Sequence, residues 1–242
     1  MLSESKLSKY LLYAIGEIVL VVIGILLALQ INNWNENRKL QRQEVNTLRQ
    51  LNVDLKSNLE EIQSIYANIS RSTAAGPKIL NHLDSGAAVD DSLLTWIEAF
   101  GAQHIFNNAN TTYKNLETSN ASQISNDSLR LRITIMYERY FFNIHKRESS
   151  MKERYMHRYQ DQLHRNFKTG PRMSAFLDQA FIDINTPRDL AELRENHDFL
   201  NALADLHNYR LLRSHWLEDT LTHLEKLVED IEAEIAEMSA GA

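Results

Sequence analysis

Residues 11–31 read LLYAIGEIVLVVIGILLALQI, an apolar run interrupted only by the acid Glu17 and the amide Gln30. At about 1.5 Å of rise per residue, a helix of this length covers roughly 30 Å, the thickness of the hydrocarbon core of a bilayer. A secretory signal needs an apolar core of only about 7–15 residues followed by a small-residue cleavage site. Here Asn32, Asn33, Trp34 and Asn35 follow instead, so the run reads as an uncleaved signal anchor. This divides the chain into a short N-terminal segment (1–10), a transmembrane helix (11–31) and a soluble helical-bundle domain (32–242). Tyr10, Tyr13 and Trp34 fall at the two boundaries, where amphipathic rings act as membrane-interface anchors. Lys6 and Lys9 before the span nearly balance Arg38, Lys39 and Arg42 after it, so flanking charge does not set the orientation.

Outward from the anchor the pattern stays helical. Val45, Leu48, Leu51, Leu55, Leu59, Ile62, Tyr66 and Ile69 recur every three or four residues, a coiled-coil-like seam. No Gly or Pro falls between Ile25 and Ala75, which predicts one rod from the membrane to about Ser70. Residues 74–110 read as short helices and loops. One runs from Pro77 to Leu83, and a second, capped at Asp90-Asp91-Ser92, carries Leu93, Leu94, Trp96, Ile97 and Phe100. Asn107, Asn108, Asn110, Thr111 and Thr112 read as a turn. A second long helix is expected from Ser125 to Phe167, stopped by Thr169-Gly170-Pro171, then a short apolar helix from Met173 to Ile182. The last helix begins with Thr186 as N-cap and Pro187 at its first position and runs to about Met238. Its end is a clean heptad, Leu217, Leu221, Leu224, Val228, Ile231, Ile235 and Met238, with Glu225, Glu229, Asp230, Glu232, Glu234 and Glu237 on the outer face.

With only 7 Gly and 3 Pro in 242 residues, turn residues are too few for a β-rich chain, and the fold class is all-α: an N-terminal transmembrane helix continuing into an elongated antiparallel bundle. The last helix is expected to return toward the membrane, pairing its final heptads with residues 40–69. The chain has no Cys, hence no disulfide, thiolate metal site or cysteine nucleophile. The net charge of −6 carries no basic patch suited to nucleic acid. No phosphate-binding loop, nucleophile elbow or HExxH is present, and the chain reads as a non-enzyme with no cofactor.

Glu17 is the one acid in the span, and an ionisable group there marks a pairing or functional site by default. Glu17, Val21, Gly24 and Ala28 share one helix face, and Gly24 and Ala28 form a small-xxx-small pair that lets a second helix approach closely. This face is the candidate site for self-association or for a partner membrane protein; the first rival reading is a shallow Glu17 that stays neutral or snorkels, and the second is ion coupling through Glu17. His207, His215, Asp219 and His223 are regularly spaced on the last helix, but eight residues drift about 80° around a helix, so one ion is not shared easily. They read as solvated histidines, as do His157 and His164. Tyr137, Tyr140, Phe141 and Phe142, with Tyr155 and Tyr159 beyond, read first as core and second as a ligand pocket between helices.

The segment from Lys9 to Glu36, KYLLYAIGEIVLVVIGILLALQINNWNE, resembles the N-terminal signature of a family of bacterial single-pass proteins catalogued as domain of unknown function 6090. Thr112 to Ser119, Ile124 to Ile133 and the last helix around Leu211-Leu212-Arg213 are similar to its later motifs. The resemblance implies a bacterial inner-membrane protein, N-terminus inside, with its helical domain in the periplasm; it implies no activity and assigns no site residue. The expected role is therefore structural or docking, with a periplasmic ligand-sensing bundle as the alternative.

Overall fold

A computed structural model describes residues 4–118, 124–173 and 180–240, with side chains described outside 4–14, 169–173 and 180–185. The apolar run and the first seam belong to one helix, α1, Glu4–Asp84. The rod is longer than the sequence predicts. The expected break at Gly76-Pro77 is absent, although Pro77 has no N–H to give to the preceding turn. Packing compensates: Ala75, Ile79 and Leu83 are buried on either side of it. The helix gives way at Gly86, whose φ of 75° lies in the left-handed region.

Helix α2, Asp91–Gly101, starts as expected, with the Asp90 carboxylate accepting from the Leu93 N–H at 2.8 Å. It buries Leu93, Ile97 and Phe100 against the far end of α1. Residues 102–110 are non-helical, but Thr111 and Thr112, expected in that turn, open helix α3, Thr111–Thr118. The second long helix spans residues 127–166 as α4 (Asp127–Ile135), a π-helical turn (Met136–Phe141), α5 (Phe142–Met151), a second π turn (Lys152–Met156) and α6 (His157–Asn166). The Asn126 side chain caps it, accepting from the Leu129 N–H.

Two expectations are corrected beyond this point. Of the helix read over 173–182, residues 174–179 lie outside the described residues and the remaining positions are in strands: β1, Phe167–Met173, and β2, Ala180–Pro187, pair antiparallel, Lys168 opposite Thr186. A short apolar run does not by itself separate strand from helix, and Gly170 and Pro171 disfavour helix. The last helix also does not start at Thr186. Asp189 caps a short α7, Leu190–Glu195, and Asn196 then caps α8, His197–Ala240, by accepting from the Phe199 N–H.

Helix α8 runs back along α1, as its heptads predict. Lys56 Nζ lies 2.6 Å from Glu232, and Gln63 donates to Glu225 at 3.3 Å. Part of the acidic face thus meets α1 rather than solvent. Leu217, Leu224, Val228 and Ile231 are buried with Leu48, Leu51, Leu55 and Ile62 in one core nearer the anchor. A second core at the far end joins Ile79, Leu83, Phe100, Tyr159, Phe199 and Leu203.

Gly76 is required where α8 crosses α1. A Cβ there would lie 2.8 Å from His207 Nδ1 and 3.0 Å from the Phe100 ring. Gly→Ala gains about 1 kcal/mol of helix propensity, but overpacking rigid rings costs about 1–3 kcal/mol. Gly76→Ala is therefore expected to lower the thermal midpoint, and the same change in a His207→Ala background to lose most of that effect.

Candidate functional site

The face of Glu17, Val21, Gly24 and Ala28 lies in α1 with every residue from 15 to 31 exposed. Leu20 is 74% exposed, and a Cβ added at Gly16 or Gly24 would meet nothing. Trp34, at the polar end of the run, is exposed, with the Arg38 guanidinium 5.4 Å from its ring centroid. Tyr10 and Tyr13 lie in the helix, but their side chains fall outside the described residues.

Between the two cores runs a buried polar layer that no sequence motif marks. Arg213 on α8 and Glu148 on α5 form an ion pair, both nearly excluded from water. Arg213 also donates to the His104 carbonyl at 2.6 Å, and Glu148 accepts from the Phe106 N–H at 3.3 Å. Arg210 donates to the carbonyl of Ala102, at the C-terminal end of α2, and stacks over Phe100 at 4.6 Å. Burial lowers the Arg210 guanidinium to about 10. Burial also raises the Glu148 carboxyl above the usual range, against the pull of Arg213.

Side chains of α1 strap down the polar segment around Asn107–Thr112 that the sequence reads as a turn. Asn58 on α1 donates to the Ala109 carbonyl and accepts from its N–H; Glu61 accepts from Asn107 N–H and Asp54 from Thr112 N–H. The N–H groups of Asn107, Ala109 and Thr112 and the Ala109 carbonyl are thereby engaged within the fold. The aromatic cluster is likewise mostly core. Tyr137 stacks on Tyr113 at 4.3 Å, Phe141 meets Phe106 edge-on, and Tyr159 packs on Phe100. Phe142 is exposed. Burial raises the hydroxyls of Tyr113 and Tyr209 to about 12 and that of Tyr137 further, so they remain neutral phenols.

The structure does not gather the histidines of α8. His207 faces Gly76 between α1 and α8, His215 is exposed, and His223 lies 3.6 Å from the Asp219 carboxylate. Among the described residues no trio of His, Asp or Glu is arranged to hold a metal ion.

What the fold does assemble is a groove of about 480 Å³ between residues 132–140 and residues 222–227 of α8. Ile135, Met136, Tyr140 and Leu227 supply its apolar lining, and Arg132, Arg139, His223 and Lys226 its polar atoms. Tyr140 is partly sandwiched, its ring 4.8 Å from that of His223. Burial and then the nearby Asp219 raise its hydroxyl above the ordinary value. Arg132 and Lys226 both reach Asp230, at 2.6 and 3.2 Å. Although desolvation opposes it, those bonds hold the Asp230 carboxyl below its usual range. Arg139 makes no ion pair among the described residues. A smaller cleft of about 140 Å³ shares Arg139 and Tyr140 and adds Arg147, whose guanidinium sits 3.8 Å over the Trp216 ring.

These features define an all-α protein with, among the described residues, one helix long and apolar enough to cross a membrane. Its sequence matches the family of unknown function DUF6090 over residues 17–164, and the chain belongs to that family. No curated protein and no solved structure matches it. The matched stretch includes α1 from Glu17 onward and most of the second long helix, but not α8.

Proposed function

We propose that this is a single-pass inner-membrane protein whose bundle serves, without catalysis, as a docking or assembly module on the periplasmic side. The observation that carries this reading is the continuity of α1: residues 15–31 are exposed all round, yet belong to the same uninterrupted helix that forms the spine of the bundle. In water such a segment is an aggregation hazard; in lipid it is a stable span. The periplasmic placement rests on the orientation implied by the resemblance of Lys9–Glu36 to that family's N-terminal signature. Glu17 with Gly24 and Ala28 supplies a face on which a second span, from another copy or a partner protein, packs closely and shares a hydrogen bond with the carboxyl.

The absence of cysteine makes the test clean. Val21→Cys and Ala28→Cys, oxidised in native membranes, are expected to give covalent dimers or a covalent adduct with another membrane protein. Leu26→Cys, on the opposite face, is expected to give far less. Monomers alone at all three positions, with nothing co-purifying with the full chain, would overturn the assembly reading.

A further inference from the structure

The groove between the second long helix and α8 has three properties that converge. Its volume of about 480 Å³ falls in the range of small-molecule sites, roughly 300–1,000 Å³. Its lining is apolar at Met136, Tyr140 and Leu227 and cationic at Arg132, Arg139 and Lys226, with no carboxylate among the lining residues, on a chain whose net charge is −6. Its wall is the π turn Met136–Phe141, a local departure from α geometry that is rare and is found frequently at functional sites.

We propose that this groove binds a small amphipathic organic anion, its apolar body against Met136, Tyr140 and Leu227 and its carboxylate or sulfonate met by Arg139 and Lys226. Arg139 is the principal contact, because Arg132 and Lys226 already share Asp230 whereas Arg139 forms no ion pair among the described residues and lies 6.0 Å from the Tyr140 ring. A planar guanidinium without a carboxylate partner suits bidentate recognition of an oxyanion. The Tyr140 phenol, neutral at physiological pH, adds no repulsion to an approaching anion. Position restricts the source. Gln63 pairs with Glu225 beside the groove, and about 48 Å of helical rise separates Ile31 from Gln63. A lipid of the bilayer that holds the span does not reach the site, so the anion arrives from the aqueous phase.

The test titrates 4-phenylbutyrate into the full chain held in nanodiscs of zwitterionic phosphatidylcholine, read by saturation-transfer NMR. Saturable binding is expected, about ten-fold weaker for Arg139→Gln and for the neutral analogue 4-phenylbutan-1-ol, as loss of one charge-assisted contact implies. Arg139 is exposed, so the variant is expected to keep the wild-type circular dichroism; Lys226→Gln, also exposed, is the second variant and is expected to weaken binding in the same direction. Equal signal from empty nanodiscs, equal affinity for the alcohol, or affinity untouched by both substitutions would overturn the proposal. So would cross-linking of Thr222→Cys, a lining position that makes none of the proposed contacts, between two copies that phenylbutyrate fails to reduce, which assigns the groove to a second copy of the chain.

Discussion

Arg213→Met is expected to destabilise the bundle by about 3–5 kcal/mol, the cost of leaving one member of a buried ion pair without its partner. The loss has two parts. Glu148 keeps only the Phe106 N–H, and the His104 carbonyl loses its donor. The pH dependence separates them. Burial already holds the Glu148 carboxyl above its ordinary value, so in the pH interval between the ordinary and the raised value the folded state binds more proton than the unfolded chain. For a group shifted this way, stability falls as pH rises through the interval between the two values. Without Arg213 the interval widens, and the penalty in Arg213→Met is expected to be larger at pH 7.5 than at pH 5. The further variant Glu148→Leu with Arg213→Met is expected to recover much of the loss, since well-packed apolar replacements for a buried pair are often neutral. Chemical denaturation at the two pH values checks all three statements; equal penalties at both pH values would show that the carboxylate is not the source.

The largest effect is expected in the span. Val22 and Leu26 lie near its centre, one turn apart and away from the Glu17 face. An arginine there costs about 2.5–3.5 kcal/mol by insertion measurements, so the double change Val22→Arg, Leu26→Arg is expected to cost about 5–7 kcal/mol. The wild-type chain is expected to stay with membranes through an alkaline carbonate wash, and the double variant to be released with its bundle still helical by circular dichroism. Full retention of the variant would mean that residues 11–31 are not what holds the protein to the bilayer.

Much of this architecture was readable in residue spacing. The seams from Val45 to Ile69 and from Leu217 to Met238 identified helices that do pack together, because a period near 3.5 leaves few other ways to bury leucine and isoleucine. The cap at Asp90 was readable as well, because a short polar side chain ahead of an apolar run satisfies free N–H groups. Local breakers misled where tertiary packing outweighs them. Gly76-Pro77 looks like a helix end, yet Gly76 is there to admit His207 and Phe100, and Ala75, Ile79 and Leu83 carry the helix past the proline. The Met173–Ile182 run was ambiguous because its composition suits either structure. The polar layer and the groove were out of reach. Glu148 and Arg213, or Arg139 and Lys226, are far apart in sequence and meet only once the register between the second long helix and α8 is fixed. The π turn at Met136–Phe141 is a shift in backbone hydrogen bonding that no residue pattern announces.

The uninterrupted course of α1 past the proposed anchor also makes it a lever. From Ile31 to Asp84 the helix rises about 80 Å, so a change of roughly 10° in the tilt of the span, well within the range that membrane helices adopt, swings the far end by about 14 Å. A difference in bilayer thickness too small to alter the span itself is thus geared up into a sideways excursion wider than a helix, at the end where α2 and the paired strands β1 and β2 sit.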